Sequence, residues 1–180
     1  MRLTFAIVLA VAIPTSGTAR GDEPNRGALL AAALAAGDLA ASRRDYTALR
    51  RALSDVEAMG ARTEDKDVTS IWRELLGLQA APALRGRGLG PAYRMGTLAK
   101  GNSVLIEQVF LAGQEARIAV QAFDRGTLRL EVLGSNRQSP CDPPIGFQAQ
   151  CQWVPLYTQR FAIRVTNAAS AATSYYLVVN

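Results

Sequence analysis

Two cysteines, Cys141 and Cys151, stand among 180 residues that include no histidine. Without an imidazole neither a Ser-His-Asp nor a Cys-His arrangement can form. The Cys-x9-Cys spacing matches neither the CxxC redox motif nor a zinc pattern, and no histidine is present to complete a metal site. Paired carboxylates do acid–base work without histidine. The second half of the chain offers Glu107, Glu115, Asp124, Glu131 and Asp142 for that role, each readable as a turn residue or an outward strand residue. The expectation is therefore no enzyme, no metal and no cofactor. What remains is recognition. Phe147 lies between the cysteines, with Trp153 and Tyr157 just beyond them. Aromatics on a preordered loop form a stacking platform for sugars or a hot spot for a protein partner. The same rings can also plug the end of a core.

Whether the cysteines pair depends on the compartment, and the N-terminus addresses that. In MRLTFAIVLAVAIPTSGTARGDEP one Arg precedes an apolar run from Leu3 to Ile13, and Gly17 and Ala19 supply the small side chains of a cleavage site. The run is about half the roughly 20 residues needed to span a bilayer. Residues 1–19 read as a signal peptide, cleaved after Ala19, which makes the chain periplasmic or secreted with no membrane span in its mature form. Paired thiols persist as disulfides there, so a Cys141–Cys151 bridge is expected. Closing that loop stabilises the fold by roughly 2.7 kcal/mol in the chain-entropy model. The formal charge of +5 is spread without a basic block, aromatic and basic residues are not interleaved, and export removes the usual partner, so nucleic acid is not expected as a ligand.

The elements that must position these residues change period along the chain. Residues 20–80 read as helical. RGALLAAALAAGDLAA is dense in the best helix formers, with Gly37 and Asp38 as an interruption at which Asp38 caps a new segment. Tyr46, Leu49, Leu53 and Val56 fall on one helical face, and Val68, Ile71, Trp72, Leu75 and Leu76 repeat the pattern after a break at GARTED. Arg43, Arg44, Arg50 and Arg51 form a stripe expected to be solvated and paired within the helices to Asp38, Asp45, Asp55 and Glu57. Residues 81–90 form a Gly/Pro linker. Gly86, Gly88 and Gly90 do not make a phosphate loop, because no strand precedes them and no Walker Lys-Ser/Thr pair follows.

Residues 91–180 switch to period two. Ile118, Val120 and Ala122 alternate with Arg117, Ala119 and Gln121; Leu128, Leu130 and Val132 with Thr127, Arg129 and Glu131; Phe161, Ile163 and Val165 with Arg160, Ala162 and Arg164. About seven short strands separated by turn signals such as AKGN and LAGQ predict an antiparallel sandwich. The fold class expected for the whole chain is α+β, a short N-terminal α-helical region followed by a jelly-roll-like antiparallel β-sandwich.

The same residues resemble a known family. VFLAGQEARIAVQAF, FDRGTLRLEVLG, RFAIRVTN and SYYLVV are similar, in that order, to the strands and turns of the bacterial pre-peptidase C-terminal domain, a β-sandwich attached to exported proteins. The resemblance covers residues 91–180. It implies a sandwich and a binding or accessory role. Where family members often carry several acidic residues at one turn, this chain has Asp124, with Thr127 and Arg129 nearby, so no calcium site comes with it. The expected function is an exported, non-catalytic accessory or binding protein whose ligand is a carbohydrate, a peptide or another envelope component. The alternative is a structural or interaction protein whose helices dock on a partner or self-associate.

Overall fold

A computed structural model describes residues 25–80, 90–123, 126–135 and 138–180. The expected signal peptide, most of the expected linker and Asp124 lie outside the described residues. Helix α1, Arg26–Ser42, starts where the Asn25 side chain accepts the Gly27 and Ala28 amides at 3.0 and 3.3 Å. It runs unbroken through Gly37 and Asp38, so the expected interruption is absent. Those two residues answer to a tertiary neighbour instead. A Cβ on Gly37 would collide with the indole of Trp72, and Asp38 accepts the Trp72 Nε1–H at 2.9 Å and the Tyr176 hydroxyl at 2.6 Å.

Asp45 caps α2, Tyr46–Ala58, and Asp67 caps α3, Val68–Leu75. Helix α2 buries Leu49, Ala52, Leu53 and Val56, while Tyr46 is exposed; α3 buries Val68 and Trp72 and leaves Ile71 and Leu75 exposed. The arginines at 43, 44, 50 and 51 are exposed as expected, but among the described residues none forms an ion pair. Three of their four expected partners are engaged elsewhere: Asp38 beneath Trp72 and Tyr176, Asp45 in its cap, and Glu57 with Arg73 of α3 at 2.6 Å.

The break at GARTED contains a short strand, β1, Arg62–Thr63, parallel to β2, Ala92–Leu98. Then come β3 (Ser103–Phe110), β4 (Ala116–Ala122), β5 (Leu128–Leu133), β6 (Gln148–Trp153), β7 (Gln159–Asn167) and β8 (Thr173–Val179). Apart from β1–β2, every pairing is antiparallel, in sheets ordered β1-β2-β8-β4-β6 and β3-β7-β5. The expected α+β sandwich is present. Its inner core joins Ile118, Val120 and Leu177 of one sheet to Leu130, Val132, Ile163 and Val165 of the other.

The five-stranded sheet is also covered on its far side. Ala119, Tyr93, Tyr176 and Val178 point away from the sandwich core and share a second core with Leu30, Leu34, Leu53 and Trp72 of the helices. Strands β4 and β8 are thus buried on both faces, which is why they read as near-continuous apolar runs. The compositional halves meet in one three-layer stack.

Tyr93 and Tyr176 pack edge to face in that second core, with centroids 6.1 Å apart, and Phe123 stacks on Tyr176 at 5.0 Å. Burial pushes the Tyr176 hydroxyl well above the ordinary phenol range, and its bond to the Asp38 carboxylate adds to the effect. Burial, helped by the charge of Asp67, pushes Tyr93 up to about 12. A raised folded pKa favours the neutral phenol. Its contribution is therefore whole below the unfolded value near ~10 and is lost as pH rises through about 12. Thermal melts between neutral and strongly alkaline pH should show the melting temperature falling from about pH 10 upward. Tyr93→Phe should flatten part of that fall, and an unchanged slope would show that Tyr93 does not supply it.

Candidate binding groove at the disulfide loop

The connection between β5 and β6 is held at two places. Cys141 is bonded to Cys151, with Cα atoms 5.8 Å apart, and Cys151 is buried in β6 on the core side. Further along, Gly146 exchanges backbone hydrogen bonds with Leu128 at 2.7 and 3.1 Å, which fixes the loop to the outer edge of β5. Pro143 and Pro144 restrict the stretch between.

Beyond the bridge, Trp153 ends β6 and closes the sandwich core with two rings. Its centroid lies 4.9 Å from Phe110 and 5.1 Å from Phe161, and all three pairs in this cluster meet edge to face. The Trp153 Nε1 is buried without a hydrogen-bond partner among the described residues. The chain then turns outward. Leu156 and Tyr157 are 84% and 74% exposed, and Val154 is exposed beside them. Pro155 between them is buried, and its carbonyl accepts the Gly113 amide at 2.9 Å. On the far side of the tip, the Thr158 hydroxyl accepts the Ala112 amide at 3.0 Å. Three apolar side chains therefore project from a loop whose backbone is tied down on both sides.

This loop and the disulfide loop wall a groove of about 460 Å³ whose lining includes Trp153, Leu156, Tyr157, Ser135, Pro140 and Gln159. Its two serine hydroxyls are already engaged: Ser135 donates to Gln159 at 2.7 Å, and Ser139 donates to the Cys141 carbonyl. The surface left for a ligand is mainly apolar.

Of the three aromatics singled out from the sequence, Trp153 and Tyr157 share this groove and Phe147 does not. Phe147 accepts the Ala122 amide through its carbonyl, whereas Trp153 stands opposite Ala116. Six residues of extended chain put those positions about 20 Å apart. Phe147, 51% exposed, instead lines a recess with Ala32, Ala36 and Leu39 of α1 and with Phe123. Val154 and Leu156 were not singled out from the sequence. Their signal was the apolar WVPLY run between two strands, too long for a tight turn and too apolar for an ordinary loop.

Elsewhere, Glu107, Glu115 and Glu131 are ion-paired with Arg160, Arg117 and Arg164. Among the described residues no three His, Cys, Asp or Glu side chains are grouped to hold a metal, and no helix is long and apolar enough to cross a membrane.

No protein-family model and no curated protein matches the chain. Among solved structures, the pre-peptidase C-terminal domain of a collagenase from Bacillus anthracis is similar over 49% of this chain and 87% of that one, with a TM-score of 0.43 and 12% identity. A periplasmic inhibitor of g-type lysozyme from Aeromonas hydrophila is similar over 55% of this chain and 92% of its own, with a TM-score of 0.41 and 15% identity. A de novo designed double-stranded β-helix follows at 0.31 and 18%, over 49% of this chain and 97% of that one. The first is a domain of the kind that residues 91–180 resemble in sequence. All three lie below a TM-score of 0.5, too distant for a ligand to be carried across.

Proposed function

We propose that the chain is an exported, non-catalytic binding module that engages a polypeptide of the cell envelope through the groove between its disulfide loop and the β6–β7 loop. The observation that carries this reading is the anchored apolar tip formed by Val154, Leu156 and Tyr157 over the Trp153 ring. Large apolar side chains on a preordered loop bind at low entropic cost and act as interface anchors. The lining is mainly apolar and the Ser135 and Ser139 hydroxyls are committed to internal bonds, which suits the apolar side chains of a polypeptide better than a sugar. The intramolecular disulfide suits an oxidising compartment.

Capture from an envelope extract by the mature chain, repeated with Tyr157→Ala, tests the proposal. The captured polypeptide should bind the variant about 30-fold more weakly, the equivalent of the ~2 kcal/mol that truncating an interface anchor costs. The melting temperature should stay nearly constant, because Tyr157 is exposed. Undiminished capture by Tyr157→Ala, or a saccharide as the captured species, would overturn it.

A further inference from the structure

The outer edge of β3 is a separate surface, and its backbone groups have no protein backbone partner among the described residues. Asn167 donates its amide to Asn102, which marks the 102/167 pair as hydrogen-bonded in the β3–β7 ladder. Antiparallel pairs alternate, so Val104, Ile106, Gln108 and Phe110 bond to β7. Ser103, Leu105, Glu107 and Val109 direct their N–H and C=O groups away from it. The opposite edge of the same sheet follows the same parity, and there Leu128 is covered by Gly146. Among the described residues no backbone pairs with β3 on its outer side.

Proteins usually guard such an edge with proline, a bulge or an unpaired charge. Strand β3, SVLIEQVF, has no proline, pairs with β7 in unbroken register, and carries one charge, Glu107, already held by Arg160 at 2.8 Å. Leu105 and Val109 are exposed along it.

We infer that a second copy of this chain occupies the edge, β3 pairing antiparallel with β3 about a two-fold axis to give a six-stranded sheet. Charge selects the register. An axis at residue 107 sets Glu107 against Glu107, which is unfavourable for directly opposed residues. An axis at residue 106 sets Leu105 opposite Glu107 and Ser103 opposite Val109, and uses the four outward-facing positions of both strands. Because Leu105 stands beside Arg164 within its own sheet, this register places Glu107 of one copy and Arg164 of the other on either side of Leu105. Glu107 keeps Arg160 and Arg164 keeps Glu131 within each copy, so the two pairs extend into one row of alternating charge across the seam, and Leu105 and Val109 of both copies form one apolar cluster.

Sedimentation of the full mature chain decides between the possibilities. The wild type should sediment as a dimer. Leu105→Pro removes only an outward N–H and should give a monomer with an unchanged far-UV spectrum. If that variant fails to fold, Leu105→Lys with Val109→Lys, both at exposed positions, should give the same monomer. Leu105→Cys combined with Glu107→Cys should cross-link two chains, and Leu105→Cys alone should not. A wild type that is monomeric at every concentration, a double-lysine variant that remains dimeric, or an edge that captures an unrelated protein in place of a second copy would each overturn the inference.

Discussion

Trp72→Ala should lower the stability of the protein by about 3–5 kcal/mol, the cost of emptying a fully buried indole site. The indole is 1% exposed, at the point where α1, α3 and the five-stranded sheet meet. The ring sits against Gly37, where no side chain fits, so the surrounding helices have little freedom to close on the hole. Its Nε1–H also satisfies one oxygen of Asp38, whose other oxygen takes the Tyr176 hydroxyl. Removing the indole leaves a part-buried carboxylate oxygen without its donor, a further penalty. Gly37→Ala probes the same contact from the other side. Replacing a mid-helix glycine by alanine ordinarily gains up to about 1 kcal/mol; here the new methyl meets the indole and should destabilise. Urea melts of both variants test the pair. A loss below about 1 kcal/mol for Trp72→Ala, or a gain for Gly37→Ala, would show that the notch does not hold the helices.

That contact also marks where the sequence stops being legible. Local rules served well where the chemistry is local. The spacing of Leu49, Leu53 and Val56 reports a helix with one face inward, and the strand alternation around Ile118, Leu130 and Ile163 reports a sheet with one side inward. Gly37 and Asp38 read as a helix break because glycine and aspartate are poor interior residues by propensity. Their partners decide otherwise, and Tyr176 lies 138 residues away. A pairing over that distance has no local periodicity. The arginine stripe is solvated as read, but its expected ion pairs are absent for the same reason: Asp38, Asp45 and Glu57 are spent on a cap and on tertiary bonds.

The candidate site was legible in its covalent part and less so in its surface. Two cysteines behind a leader-like N-terminus suffice to suggest a bridge, and the bridge is formed. The aromatic set was split by geometry. Strand β6 separates Phe147 from Trp153, and sequence proximity across a strand does not mean spatial proximity. Leu156 was passed over because hydrophobicity alone does not reveal exposure. Only the bonds accepted by the Pro155 carbonyl and the Thr158 hydroxyl show that the loop tip is held outward instead of folding in.

A chain of residues 90–180, lacking the helices, should fail to reach the native sandwich as a soluble monomer, although its composition marks it off as the β half. Without α1–α3 the five-stranded sheet presents Tyr93, Tyr176, Val178 and Ala119 to water, together with the partly buried Met95 and Phe123. At about 1.5–3 kcal/mol per large side chain the lost burial comes to roughly 10 kcal/mol, which equals the whole net stability of a typical domain, about 5–15 kcal/mol. Strand β1 is lost as well, and it pairs with β2 at the edge of that sheet. The core between the sheets is untouched by the truncation, so the expected product retains strand content but exposes apolar surface. Strong binding of a hydrophobic dye, self-association on a sizing column and no cooperative thermal transition would be its signature. The full chain should instead melt in one transition, because β4 and β8 are shared between both cores. A truncated chain that is monomeric and melts cooperatively would show that the helices are an accessory layer and that the sandwich is complete without them.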